Sequence, residues 1–244
     1  MPLLMRTGVV ALLLAALAPV EGAAQASQRV GEVVRAAPKV QGRPTCDPAS
    51  SGELAPKSPV CVGMEIETSS GAGARIAINR DLRQQQGAVI LGPRTIVELT
   101  EQVVNQALGL ETMSWLVKLG QFRLALFPPP PGAPLAEGEY KIVTPDKTEV
   151  RLRGTDVAVQ VDRNGTTTVW VIEGKVEVKA AAGGTVLVSA GYRTRVRRGH
   201  EPEPPVRFGT GGGPGPGVSA PPEETIFPDP PDLDLRALRL DLPQ

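Results

Sequence analysis

Between residues 139 and 198 the chain is cut at near-regular intervals by residues that favour turns. Asn164-Gly165, Gly174, Gly183-Gly184 and Gly191 follow one another every 8–10 positions. Between them lie short strand-like runs at 139–144, 149–153, 155–162, 166–173, 175–180, 185–189 and 192–197. Asn-Gly is the strongest of these turn signals, because a two-residue type I′ hairpin needs positive φ at both positions. Strands of this length and spacing predict a sandwich or barrel. Val157, Val159 and Val161 fall on one face, opposite Gln160 and Asp162. Val169-Trp170-Val171-Ile172 is apolar on both faces and is expected mid-sheet, covered above and below, so that Trp170→Asp should unfold the domain.

The same period-two alternation occurs upstream. Met64, Ile66 and Thr68 alternate with Glu65 and Glu67, and Ala74, Ile76 and Ile78 with Arg75 and Ala77. Gln28 to Val34 reads as a first strand. Ala88–Leu91 and Thr95–Leu99 read as two more, with Gly92-Pro93 as the turn between them. Residues 101–112 fit a helical turn or a poorly paired edge equally well. Trp115–Leu119 and Phe122–Phe127 read as two strands meeting near Gly120. The proline run in 127–134 cannot donate to a ladder and reads as a stiff loop joining two halves of the domain.

The apolar run Gly8 to Ala18, with Arg6 before it and Ala24-Gln25-Ala26 after it, has the form of a signal peptide over 1–26. It is too short to span a bilayer, and no later segment is long and apolar enough to do so, so no membrane span is expected after cleavage. The expected location is periplasmic or extracellular. In such an oxidising compartment Cys46 and Cys61, which bracket a Pro/Ser/Gly-rich stretch, are expected to form a disulfide. Closing a loop of about 15 residues stabilises a fold by roughly 3 kcal/mol in the chain-entropy picture.

Beyond Gly199 the composition changes. Residues 200–232 hold ten of the 25 prolines, with too little apolar content to fold alone. This predicts a disordered linker over 199–232 and a short Leu-rich terminal segment over 233–244. The domain plan is therefore 1–26, 27–59 (first strand and Cys-bounded loop), 60–198 (the β domain) and the tail. The fold class is all-β: an antiparallel sandwich or roll of short strands with a disordered Pro/Gly-rich C-terminus.

Charge divides along the same boundary. The whole chain is neutral, but residues 27–198 hold 22 Lys+Arg against 17 Asp+Glu, and residues 199–244 hold 3 against 8. A core of +5 is thus balanced by an arm of −5. The neutral total argues against a nucleic-acid binder, which needs a basic excess. Arg193, Arg195, Arg197 and Arg198 cluster at the end of the last core strand, the first three alternating onto one face. They form a candidate patch for an anionic partner: an envelope polymer, an acidic protein, or the chain's own tail. They would serve equally as a charged guard on an exposed edge.

Val150 to Val159, with Arg153-Gly154-Thr155 at its centre, then Val169 to Val178 around Gly174, and Val186 to Gly191 together resemble the FecR domain family. Gly63 to Thr68 and Leu91 to Thr95 look like that family's opening strands, so the resemblance covers about residues 60–198. It implies a β domain of the cell envelope engaged in protein–protein interaction, with no known reaction and no cofactor. Arg153, Gly154, Thr155, Gly174 and Gly191 are expected to be architectural. Membrane regulators of the family carry a sigma-factor-binding segment and a transmembrane helix, which the sequence does not show, so an anti-sigma role does not transfer. The expected function is a non-catalytic exported interaction module. The alternative is an envelope glycan-modifying enzyme using carboxylates such as Asp156 and Asp162, six apart on one expected strand and so about 20 Å from each other. His200, the one histidine, cannot supply a two-His metal set.

Overall fold

A computed structural model describes residues 28–208 except Pro38, Thr45, 47–51, 82–83, 106–109, 128–136 and 153–154. The expected signal peptide, nearly all of the Pro-rich loop, residues 209–232 and the terminal segment 233–244 lie outside the described residues. Sixteen strands and no helix occur among those described. They are β1 (Arg29–Ala36), β2 (Val40–Arg43), β3 (Pro59–Cys61), β4 (Glu65–Thr68), β5 (Ala74–Asp81), β6 (Gln84–Leu91), β7 (Ile96–Asn105) and β8 (Leu110–Leu126). There follow β9 (Glu137–Val143), β10 (Glu149–Leu152), β11 (Asp156–Val161), β12 (Thr167–Glu173), β13 (Lys175–Lys179), β14 (Thr185–Ser189), β15 (Tyr192–Val196) and β16 (Val206–Arg207). The expected all-β class is what the chain adopts.

The strands form two sheets joined through one shared strand. Sheet A runs β3-β1-β5-β6-β8-β11-β12-β15-β16, and sheet B runs β2-β4-β7-β8-β9-β10-β13-β14. The first half of β8, up to Leu119, pairs with β7 and β9 in sheet B. The second half, from Gly120, pairs with β6 and β11 in sheet A. The two expected strands at 115–119 and 122–127 are therefore one 17-residue strand that bends at Gly120, whose φ is 92°. All pairings are antiparallel except β8 with β9, which is parallel. Gly92-Pro93 does not close a hairpin. It carries the chain from β6 in sheet A to β7 in sheet B.

Alternation becomes burial as expected. Met64, Ile66, Ile76, Ile78, Val157, Val159 and Val161 all point into one continuous core between the sheets. Where the alternation was ambiguous, a bulge is the cause. Leu99 pairs with Trp115 but Glu101 pairs with Ser114, so the register slips within residues 99–101. Past that slip Gln102 turns inward while Val103 is 51 % exposed, inverting the usual polar-out pattern. Residues 101–105 and 110–112 are thus two arms of one hairpin and not a helical turn, and the 101–105 arm, which pairs with β8 alone, is the expected edge.

The run 169–172 lies mid-sheet, and Val169, Trp170 and Val171 are buried on both faces as expected; a second bulge changes only its end. Val157 pairs with Val171 and Asp156 with Glu173, which leaves Ile172 unmatched and 42 % exposed. Val169 and Val171 lie in the core, whereas Trp170 is buried on the outer face of sheet A, outside the core cluster. The two positions should therefore respond differently to a carboxylate. Val171→Asp is expected to unfold the domain, because a charge between the sheets has no partner. Trp170→Asp keeps a cross-strand arginine, Arg193, opposite it, and is expected to lose about 3 kcal/mol of stability while remaining folded. Urea denaturation of both variants checks this; equal behaviour would show that the outer face is as dry as the core.

The ends of the domain also differ from the expected plan. β1 pairs with β3 and β5, so the first strand belongs to sheet A and is not a separate appendage. Residues 199–208 continue the fold instead of starting a linker. The Glu203 amide donates to the Arg195 carbonyl (2.8 Å), the Phe208 amide to Gly191 (2.9 Å), and β16 pairs with β15. The Cys46–Cys61 disulfide is formed, with Cα atoms 5.7 Å apart. It ties the loop after β2, an edge strand of sheet B, to β3, an edge strand of sheet A.

Candidate functional site

β15 reads Tyr-Arg-Thr-Arg-Val, and its alternation sorts the side chains by chemistry. Thr194 and Val196 are buried beneath the sheet, while Arg193 and Arg195 stand on the outer face. Cross-strand register extends each arginine into a row. Arg193 lies opposite Trp170, which lies opposite Ala158, then Arg123, then Ile90. On the other side Arg193 faces Val206 of the edge strand. The adjacent row is Arg195, Thr168, Gln160 and Gln121.

Trp170 is only 5 % exposed although it sits on an outer face. The alanine opposite it leaves room for the indole to lie against the sheet. Its Nε1–H is buried without an acceptor among the described residues, at an expected cost of about 1–3 kcal/mol for a buried orphan donor. Two exposed apolar side chains belong to the same region: Ile172 at 42 % exposure, two residues along the same strand, and Val206 at 49 %, on the far side of Arg193. Arg123 is held by Asp156 through two parallel contacts, Nε to Oδ1 at 2.9 Å and Nη2 to Oδ2 at 2.8 Å.

The four arginines of the expected patch do not act alike. Arg197 pairs with Glu203 (3.1 Å). Arg198 follows the strand and packs beside the Asn164-Gly165 turn, where a Cβ on Gly165 would lie 3.5 Å from its Cδ. Arg193 and Arg195 share the outer face and have no carboxylate within ion-pair distance among the described residues. On the outer face of sheet B two cations are paired, while Lys141, Lys175 and Lys179 have no carboxylate within ion-pair distance among the described residues. There Lys118 contacts Glu65 (2.6 Å) and Glu98 (2.7 Å), and these hydrogen bonds, Glu65 first, hold its pKa above the ordinary lysine value of 10.5. Arg151 sits among Glu149 (3.0 Å), Glu139 and Glu177 (both 3.9 Å).

Asp156 has both oxygens occupied by Arg123, and Asp162 accepts the amides of Asn164 and Thr166 at 2.8 Å, capping its own turn. His200 is exposed in the turn after β15, and no group of three His, Cys, Asp or Glu side chains is set to hold a metal among the described residues. Arg153 and Gly154 lie outside those residues. Thr155 is buried, and its carbonyl accepts the Leu126 amide (3.1 Å). Gly174 (φ 82°) and Gly191 (φ 79°) sit where the chain passes between the sheets, at β12–β13 and β14–β15. Those crossings are tied by Ala190 N to Gly174 O and Gly191 N to Val171 O, both 2.9 Å. Trp170 and Arg123 join the arginine face through long-range pairing, which local alternation does not reveal.

No family model matches the chain, and no curated protein does. Among solved structures, two crystal structures of a "putative anti-sigma factor" from Parabacteroides distasonis are similar to it at 14 % identity. Their TM-scores are 0.40 and 0.39, and the similarity covers 55 % of this chain and 55 % of that one. The chain thus matches about half the length of these neighbours.

Proposed function

We infer that the protein is a non-catalytic, FecR-like interaction module of the periplasm or cell exterior that takes an acidic protein segment on the outer face of sheet A. The observation that supports this most is the pair of arginines on the outer face of sheet A, Arg193 lying directly opposite the buried Trp170. Arg193 and Arg195 have no carboxylate within ion-pair distance among the described residues, and the tryptophan beside them sets them apart from the unpaired lysines on sheet B, Lys141, Lys175 and Lys179. Ile172 and Val206 add apolar contact, which favours a protein segment over a purely ionic polymer. The disulfide is compatible with an exported protein. Asp156 and Asp162, the carboxylates that a hydrolytic reading would need, are both engaged in structural hydrogen bonds, and this favours binding over catalysis.

The test uses the full chain and a fluorescent peptide of alternating Asp and Leu, with inorganic polyphosphate as a purely anionic control. Peptide binding is expected to weaken about tenfold when salt is raised well above physiological strength. The double substitution Arg193→Ser with Arg195→Ser should weaken it by a further factor of about ten with the melting temperature unchanged. Binding indifferent to that substitution would sink the assignment. Preference for polyphosphate would redirect it to an envelope polymer.

A further inference from the structure

Apart from the outer end of β7, where residues 101–105 pair with β8 alone, the two sheets end in four edge strands among the described residues, and three of these are guarded. β2 is covered by residues 52–54: Gly42 N donates to Gly52 O (2.7 Å) and Leu54 N to Val40 O (2.9 Å). β3 has three residues, begins with Pro59 and ends in the disulfide. β16 has two residues and follows Pro202, Pro204 and Pro205. β14, with the sequence Thr-Val-Leu-Val-Ser, has none of these devices. It holds no proline and no charge; Glu201 and Pro202 pack beside Gly184 at its start, but no segment other than β13 pairs with it among the described residues. Leu187 at its centre is 62 % exposed. Natural proteins rarely leave an edge of this kind open unless something pairs with it.

Hydrogen-bond parity shows which groups the open edge presents. Ala190 N donates to Gly174 O and Ala180 N to Gly184 O, at the two ends of the β13–β14 ladder. In an antiparallel pair the bonded positions recur every second residue, so Val186 and Val188 bond to β13. Thr185, Leu187 and Ser189 therefore turn their amides and carbonyls outward. These three are symmetric about Leu187, and the strand reads almost identically in both directions.

We propose that β14 pairs with β14 of a second copy of this chain, antiparallel, about a two-fold axis at Leu187. An isologous contact requires a surface that complements itself, and this one does. Leu187 meets Leu187 of the other copy as a bonded pair, and Thr185 meets Ser189 twice, which closes six backbone hydrogen bonds. Val186 and Val188 meet on the inner side, continuing the core-facing row. No like charges stand opposite each other, because Lys175, Glu177 and Lys179 lie one strand back on β13. Lys179 and the second copy's Lys175 are then three strand spacings apart, about 14 Å, which is beyond the screening length at moderate salt. The result is a continuous sheet through both copies, with both arginine faces left free, so the pairing does not depend on the function proposed above.

Sedimentation equilibrium of the full chain, from about 5 µM to about 1 mM, suits a contact at the small end of interface sizes. The mass is expected to rise towards twice that of the monomer. Hydrogen exchange followed by NMR should show the amides of Thr185, Leu187 and Ser189 gaining protection with concentration, while Val186 and Val188 stay unchanged. Leu187→Lys places two ammonium groups across the axis and should weaken association at least about tenfold without shifting the melting temperature. Leu187→Pro removes the central outward donor and leaves the β13 ladder intact, and should have the same effect. A monomer throughout the range, a dimer indifferent to both substitutions, or protection confined to other strands would each overturn the proposal.

Discussion

Gly120→Ala should leave the chain without a cooperative fold. Gly120 is the residue at which β8 leaves sheet B and enters sheet A, with φ at 92°. A Cβ there would sit 2.5 Å from the Thr95 Cα and 2.7 Å from the Arg94 carbonyl oxygen, and closer still to the Thr95 hydroxyl. The first two are backbone atoms and cannot turn aside. Thr95 is itself fixed: its hydroxyl accepts the Gln121 amide (2.9 Å), and its own amide donates to the Thr68 hydroxyl (2.9 Å), which in turn donates to the Gly92 carbonyl (2.7 Å). A β-carbon would force this buried crossing apart just where the sheets join. Positive φ alone costs a non-glycine residue about 1 kcal/mol; the clash adds several more, against a total stability of about 5–15 kcal/mol for a domain. Gly63→Ala isolates the first contribution, because Gly63 has φ 81° and nothing within 4 Å of a built Cβ. Circular dichroism melting should show a small shift for Gly63→Ala and no native transition for Gly120→Ala. Similar curves for the two would mean that β8 can bend elsewhere.

Much of this architecture is legible locally. The alternation at 64–68, 74–78 and 157–161 marks inward side chains because burial on one face of a strand forces period two, and all three segments bury the residues it selects. The misread stretches share a cause: at residues 99–101 and at Ile172 a bulge adds a residue and inverts every later parity, so the pattern dissolves. A glycine between two apolar runs is ambiguous for a different reason, since the same φ that ends a strand at a turn can bend one that continues. Gly120 bends; Gly174 and Gly191 turn. Pro202, Pro204 and Pro205 read as linker because they bring no apolar content, yet they lead into an edge strand, where missing donors do no harm. The arginine face was half visible. Arg193 and Arg195 alternate in the sequence, but their tryptophan neighbour arrives through a strand pairing that no local pattern encodes.

Trp115→Ala should produce the largest loss of any single side-chain truncation in the core. Trp115 lies on the sheet B half of β8, opposite Leu99 on β7 and Ile142 on β9. Phe122 lies on the sheet A half, and the two rings meet across the bend with centroids 5.6 Å apart and planes at 49°. One strand thus supplies both sides of an aromatic contact that closes the sandwich beside its own hinge, and both side chains are fully buried. Truncating a buried tryptophan removes about 3–5 kcal/mol through lost transfer energy and residual cavity, with about 1 kcal/mol of the ring pairing included. For a domain of this size that lowers the melting temperature by about 6–20 °C. Trp115→Phe separates packing from polarity. The indole Nε1–H is buried without an acceptor among the described residues, so phenylalanine sheds an orphan donor while giving up part of the volume. The two effects oppose each other, and the net change should be within about 1 kcal/mol. Guanidinium denaturation followed by Trp170 fluorescence reads both variants. If Trp115→Phe proves as damaging as Trp115→Ala, the indole nitrogen has a partner in the folded protein and the core at the hinge is wetter than its burial indicates.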